Sequence, residues 1–504
     1  MGIKTHRKIS WAIAMTFLLV MGASILVEAQ ITRENELYTI VPARGRSQGI
    51  VPAGKDQLVV YYESPHADAY DKRKWEIIVL NEELQSEQQS FFESHVDFLI
   101  SEAKYHDDYL YLFFKDLNTP IRRVIFARLN LESDEILFFE VKDFLPDEVR
   151  GFEVLGNSLF LLGMEDERPA VIKFRFGDPR PDVLRGLYTR KSELLHSSVL
   201  EDLGLLQIVT KIKKTGAGNR IISVRQFDEE GALQQEYIVE SSKGYHLLDA
   251  IAKTDEAGNT CIAGTFAYKN TKMANGIFTK TYQQDVENPL HFYDFLSLHN
   301  YYDHLGAVKK DKMKEKYQKA IEKGKTPGNL VIHDVRQLER KGDTWVYLGE
   351  ELSLLEKNTP TYGRIWPQEY RQYSHAICAG IGMDGRLQWD NSIDMHDMGA
   401  KSDTQKARFA TFDNSTLLFY LDGAFVNYKL IDRGSTIGAT EILDLNDSPN
   451  RDIVDNYLDY GNIYPWFDNT FISFGMFNIN ALSTQSGKFL ILKELKLEEA
   501  IREQ

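Results

Sequence analysis

Two stretches of the chain hold the side chains best suited to touch a ligand. Leu354 to Ser374 carries Tyr362, Arg364, Trp366, Tyr370, Arg371 and Tyr373. Asp447 to Trp466 carries Tyr457, Tyr460, Tyr464 and Trp466 among Asp452, Asp455 and Asp459. Large rigid rings give much contact area at small entropic cost, and charges beside them meet carboxylates or hydroxyls. That chemistry suits a glycan or a peptide. Tyr362, Arg364, Trp366, Tyr370, Tyr457, Tyr460 and Trp466 are therefore the expected ligand-binding residues. The competing expectation is that these rings fold back onto the core.

Other combinations fail on context. Gly45-Arg46-Ser47-Gln48-Gly49 has nucleophile-elbow spacing, but Ile50-Val51-Pro52 follows where that motif needs a helix. Gly324-Lys325-Thr326 ends like a phosphate loop, yet Lys319 stands where the upstream glycine belongs. Asp444, Asn446, Ser448, Asn450, Asp452 and Asp455 keep calcium-loop spacing, with Pro449 at the position that needs glycine. His299 and Asp303 share a helical face but make only two ligands, and neighbouring His291, Asp294 and His304 do not complete a set. With 74 acidic residues in the chain, no acid–base couple can be singled out. No metal, cofactor or catalytic residue is assigned.

The elements that position these residues repeat. A polar turn followed by a β-rich run recurs at Leu58, Tyr109, Leu159, Leu205, Cys261, Trp345, Thr416 and Phe471. All but one copy has Asp or Asn two residues earlier, side chains that close turns on their own backbone. Five of the seven intervals lie between 46 and 56 residues; those of 84 and 71 mark insertions. A second apolar strand follows each copy, for example Arg220–Phe227 and His375–Gly382, and often a third. Short antiparallel strands at this period imply an all-β fold, a propeller of seven or eight blades, since stacking buries faces that one sheet cannot. Most linkers are too short for the crossover helices of a parallel sheet.

Through repeats such as Asp255-Glu256-Ala257-Gly258-Asn259-Thr260-Cys261-Ile262-Ala263-Gly264, residues 50 to 497 resemble secreted bacterial propeller-like proteins of uncharacterised function. The resemblance implies an architecture and carries no functional residue with it.

The longest interval predicts a helical insertion over 286–326. Phe292, Phe295, Leu296, Leu298, Tyr302 and Leu305 recur at helical spacing. Lys309 to Lys325 then carries eight Lys against Asp311, Glu315 and Glu322. A solvated face is the plain reading of that run, and a docking arm for an anionic partner the functional one.

At the N-terminus, Lys4, Arg7 and Lys8 precede an uncharged run from Trp11 to Val27, and Val27 and Ala29 fit a cleavage site. Residues 1–29 are expected to be an export signal, 30–49 an N-terminal segment and 50–500 the propeller. No cysteine lies near the cut, which excludes a lipid anchor. The expected location is periplasmic or secreted. Removing that signal moves the net charge from −15 to −17, which repels nucleic acid and anionic membranes. Cys261 and Cys378 read as small buried hydrophobes, with a single bridge between neighbouring strands as the alternative. The first functional reading is a binding or scaffold module for a glycan, peptide or envelope protein. A propeller hydrolase or lyase on polysaccharide or peptide is the second, and a subunit of a cell-envelope assembly the third.

Overall fold

The computed structural model describes residues 26–502 except for connecting segments, the longest being 65–71, 117–122, 214–219, 324–330, 446–457 and 480–486. For some residues within strands, such as 356–370, only the backbone is described. Residues 1–25, which hold most of the expected export signal 1–29, lie outside the described residues.

Eight antiparallel sheets follow one another along the chain. Each of the eight sequence copies is the second strand of one sheet: Gln57–Glu63, Tyr109–Asp116, Ser158–Glu165, Leu205–Lys213, Thr260–Ala267, Thr344–Thr361, Ser415–Asp422 and Thr470–Ile479. The first strands are Gln48–Ala53, Phe98–His106, Glu148–Leu155, Ser192–Leu200, His246–Thr254, Ile332–Lys341, Ala407–Phe412 and Leu458–Pro465. In the first seven sheets the outer strands come from the same repeat. The eighth differs. Its third strand, Gly487–Arg502, pairs with Leu26–Thr32 and Tyr38–Pro42, so the N-terminus supplies the outer edge of the last sheet.

Hydrophobic patterning explains the stacking. Along the second strand of the second sheet, Leu110, Leu112 and Phe114 pack toward the first sheet, while Tyr111 and Phe113 pack toward the third. Alternate residues of a strand point to opposite faces, and here both faces are buried. Seven such clusters join consecutive sheets, and an eighth joins Ile472, Phe474 and Leu492 of the last sheet to Ile50, Leu58 and Val60 of the first. The sheets therefore close into a ring, and the fold is a β-propeller.

Two expectations about the insertions need correction. The apolar run after Leu290 is not a helix. His291–Asp294 is a strand on Gly276–Gln283, and Phe295–Ser297 is one 3-10 turn. Phe295, Leu296, Leu298, Tyr301 and Tyr302 are buried between the fifth and sixth sheets. Pairing with an available sheet edge overrode the helical spacing. The lysine-rich stretch does form a helix, Ala307–Glu322, and among its described side chains Met313 and Tyr317 pack on the core. The expected loop from Leu354 to Ser374 is instead a long antiparallel hairpin, in which Thr344–Thr361 and Arg364–Gly382 stay paired to their tips. Cys261 and Cys378 are free thiols in two different inter-sheet clusters, not a bridge. Burial without a stabilising charge raises both thiol pKa values.

Candidate functional site

The first strands converge on the ring axis. Those of the first six sheets touch their neighbours in turn. They run in the same sense, since the Gly156 amide, just past one strand end, donates to His106 Nε2 at the end of its neighbour, 3.1 Å away. Six of the eight carry a β-bulge, at Ser101, Arg150, Leu195, Leu248, Arg336 and Gly461. A bulge adds one residue and re-aims the side chains that follow it. Here the residue just past the bulge is Glu102, Gly151, His196, Asp249, Gln337 or Asn462. Five of those six are polar, in strands whose flanking positions are largely apolar.

Polar groups at and beside these positions link sheet to sheet. Lys104 Nζ lies 3.4 Å from Glu102 Oε1 and 2.5 Å from Glu153 Oε2 on the next sheet. Ser197 Oγ of the fourth sheet donates to the other oxygen of Glu153 at 2.8 Å. Burial pulls the Lys104 ammonium toward neutrality, but Glu153 and Glu102 outweigh it and its pKa rises. Burial raises the Glu102 carboxyl above the usual carboxylate range. Desolvation also lowers His196 to about 4, so its ring is neutral at pH 7. Asp249 is pushed up to about 6 by burial, with Lys211 the main opposing charge. Across the sixth sheet, Asp334 accepts from Arg336 at 3.0 Å and Arg371 at 2.9 Å. Fully buried Glu350 accepts from Arg336 and from the amides of Lys406 and Ala407, tying the sixth sheet to the start of the seventh.

Beside this axial network a cavity of about 750 Å³ opens between the third and fourth sheets, on the face where the first strands begin. Asp147, Glu148, Arg150, Met164, Asp166 and Glu167 form its third-sheet wall. Lys191, Ser192, Glu193, Lys211 and Lys213 form the other. Three of these residues are left-handed without being glycine: Asp166 at φ 48°, Glu167 at 59° and Lys191 at 63°. Such backbone costs about 1–3 kcal/mol per residue and gathers at functional sites. Lys211 joins cavity to axis: its ammonium pairs with Glu193 at 2.8 Å, donates to the Leu248 carbonyl at 2.6 Å, and acts on Asp249.

The ligand residues expected from sequence do not form one surface. Tyr362 and Tyr457 lie outside the described residues. Arg364, Trp366 and Tyr370 belong to the long hairpin, opposite Thr361, Thr359 and Leu355. Its tip projects on the face where the first strands begin, and Tyr460 lies at the start of the last of them. Trp466 follows the end of that strand, on the opposite face. There it packs against the cluster closing the ring, and its indole donates to the Gln57 carbonyl at 3.0 Å. The serine of the G-x-S-x-G match and most of the calcium-spaced loop lie outside the described residues.

Sequence reasoning did not reach Glu102, Lys104, Glu153, His196, Lys211 or Asp249. Aligning the repeats on their first strands exposes most of them, as Ser-Glu-Ala-Lys, His-Ser-Ser and Leu-Asp-Ala interruptions of apolar runs.

No protein-family model and no curated protein matches the chain. Among solved structures it is similar to the polysaccharide lyase Uly1, at 10% identity over 78% of this chain and 89% of that one, with a TM-score of 0.38. It is also similar to Kluyveromyces lactis Hsv2, at 9% identity over 79% and 100% with a TM-score of 0.38. The WD40 domain of SCAP from fission yeast gives 9% over 90% and 98%, with a TM-score of 0.37. Likeness at this level assigns no activity.

Proposed function

We propose that the protein is a recognition module that takes a small hydrophilic ligand into the cavity between the third and fourth sheets. The carrying observation is the cavity itself. Its volume of about 750 Å³ falls in the range of small-molecule sites, roughly 300–1,000 Å³. Ten of its eleven lining residues are polar or charged, and three left-handed backbone positions shape its rim. The test is calorimetry against a panel of glycans and peptides. Glu167→Ala and Lys213→Ala change exposed side chains with no bonding partner among the described residues. Each is expected to weaken binding about tenfold without moving the melting temperature. Unchanged affinity in both variants overturns the reading.

A catalytic role, as a hydrolase or lyase on polysaccharide or peptide, has one specific support. Asp249, held near 6 behind Lys211, has the pKa a general acid needs near neutrality. Turnover lost in Asp249→Asn with binding retained is the result that favours it.

The module is exported in this reading, losing residues 1–29 after Ala29, on the strength of its basic start and uncharged run; the cut shortens the edge strand Leu26–Thr32 to Gln30–Thr32 and leaves Tyr38–Pro42 paired with Gly487–Arg502. Its partner is a glycan, a peptide or an envelope protein. Arg364, Trp366, Tyr370 and Tyr460, whose strands reach the cavity's face, and Tyr362 and Tyr457, which lie outside the described residues, are its further ligand contacts in this reading. Docking in an envelope assembly uses the lysine-rich helix.

A further inference from the structure

The two walls of the cavity differ in sign once their internal pairs are cancelled. On the third-sheet wall, Arg150 is engaged by Glu148 and by the Leu194 carbonyl at 2.8 Å. On the fourth-sheet wall, Lys211 is engaged by Glu193. What is left is Asp166 and Glu167 on one side, with the Asp147 carboxylate beside them accepting the Asp166 amide, and Lys191 and Lys213 on the other.

Backbone contacts hold each set in place. Asp166 and Glu167 are the two residues of a tight hairpin turn, and the Asp166 amide donates to Asp147 Oδ2 at 3.2 Å. The Lys213 amide donates to the Lys191 carbonyl at 3.1 Å, which fixes the two lysines side by side. None of these four side chains has a bonding partner among the described residues. An acidic wall thus faces a basic one across an open cavity.

We infer that the cavity selects a short peptide with both termini free, its ammonium on the Asp166–Glu167 wall and its carboxylate on the Lys191–Lys213 wall. This rests on the reading of the cavity as a binding site. A neutral sugar leaves four charged groups to be desolvated without compensation. A polyanion gains one wall and is repelled by the other. A free amino acid carries both charges around a single carbon. A tripeptide separates them by roughly 7–10 Å at the chain's extended rise per residue. Met164 is the one apolar side chain of the lining, so selection rests on the termini more than on side chains.

Isothermal calorimetry tests this with trialanine, its N-acetyl form, its C-terminal amide, the doubly blocked form, and maltotriose. Trialanine is expected to bind, and each block to weaken it about tenfold or more, since charge-assisted hydrogen bonds are the strong ones. Lys213→Met is expected to reduce trialanine affinity to that of the amide and to leave the amide unchanged. Glu167→Gln is expected to do the same for the N-acetyl form. Equal affinity for free and doubly blocked peptide overturns the inference. So does maltotriose binding, lost in the two variants, with no trialanine binding; that result leaves the cavity standing as a binding site. Binding of no probe removes both.

Discussion

Trp466 Nε1 donates to the Gln57 carbonyl at 3.0 Å, joining residues 409 apart in the sequence. The bond crosses the seam where the last sheet meets the first, and the indole packs against the cluster that holds Leu58, Ile472 and Phe474. Ring closure is the contact with the longest loop to pay for in entropy, so its supports matter to the whole fold. Trp466→Ala is expected to cost about 2–3 kcal/mol, below the fully buried range because the ring is half-buried. Trp466→Phe, which loses the hydrogen bond but keeps a ring, is expected to cost about 1 kcal/mol. Denaturant unfolding checks both values.

The insertion separates into a structural and a dispensable part. Phe295 is fully buried and stacks on Tyr301 with centroids 5.1 Å apart. Phe295→Ala is expected to cost about 3–5 kcal/mol. Replacing Ala307–Glu322 with a short Gly/Ser bridge is expected to cost less than about 1 kcal/mol, since the helix is largely solvated. Cooperative unfolding of the shortened protein, followed by circular dichroism, is the measurement. A broad or absent transition would show that Met313 and Tyr317 hold the fifth sheet together.

The repeat was legible because turn chemistry and β-rich runs are local. Asp or Asn stands two residues before the run in seven copies, and each run became part of a second strand. The axial network was not legible, because a bulge is a property of pairing. Nothing local to Leu247-Leu248-Asp249 shows that Leu248 is the extra residue that turns Asp249 to its position. Helical spacing misled at Phe292 to Leu305 for a similar reason: the free edge of Gly276–Gln283 is visible only in three dimensions. The cavity was hidden too, since its walls come from four segments of two repeats.

Two axial groups are expected to set opposing pH dependences of stability. Asp249 rises from the carboxylate value of 3.8 to about 6 in the fold, so the folded state binds the extra proton between those values. Its contribution is present below 3.8 and is lost as pH rises through 6. His196 falls from 6.5 to about 4, so the unfolded state binds the extra proton there. Its contribution is present above 6.5 and is lost as pH falls through 4. Between pH 4 and 6 the two oppose each other. Asp249→Asn is therefore expected to lose stability on acidification relative to the unchanged protein, and His196→Gln to gain it. The divergence should be about 1–3 kcal/mol each, allowing for partial access of solvent at the axis. Urea midpoints at pH 7, 5 and 4 decide it, and parallel curves for all three proteins refute it.

Lys104 stands between two carboxylates, 3.4 Å from Glu102 and 2.5 Å from Glu153. Its side chain keeps 29% of its exposure, which places the group between a surface pair and a buried one. Removing the shared cation leaves two negative charges on neighbouring sheets, with Lys115 acting only on Glu102. Breaking a buried pair on one side costs about 3–5 kcal/mol and an exposed pair under about 1 kcal/mol. Lys104→Met is accordingly expected to cost about 2–3 kcal/mol at pH 7. The deficit should shrink as pH falls, because burial already raises the Glu102 carboxyl and its protonation relieves the repulsion. Adding Glu153→Gln should recover most of the loss, since one remaining carboxylate no longer faces another. A double-mutant cycle in urea at pH 7 and pH 5 measures the coupling. A Lys104→Met cost under about 0.5 kcal/mol at both pH values would reduce the cluster to a solvated surface pair.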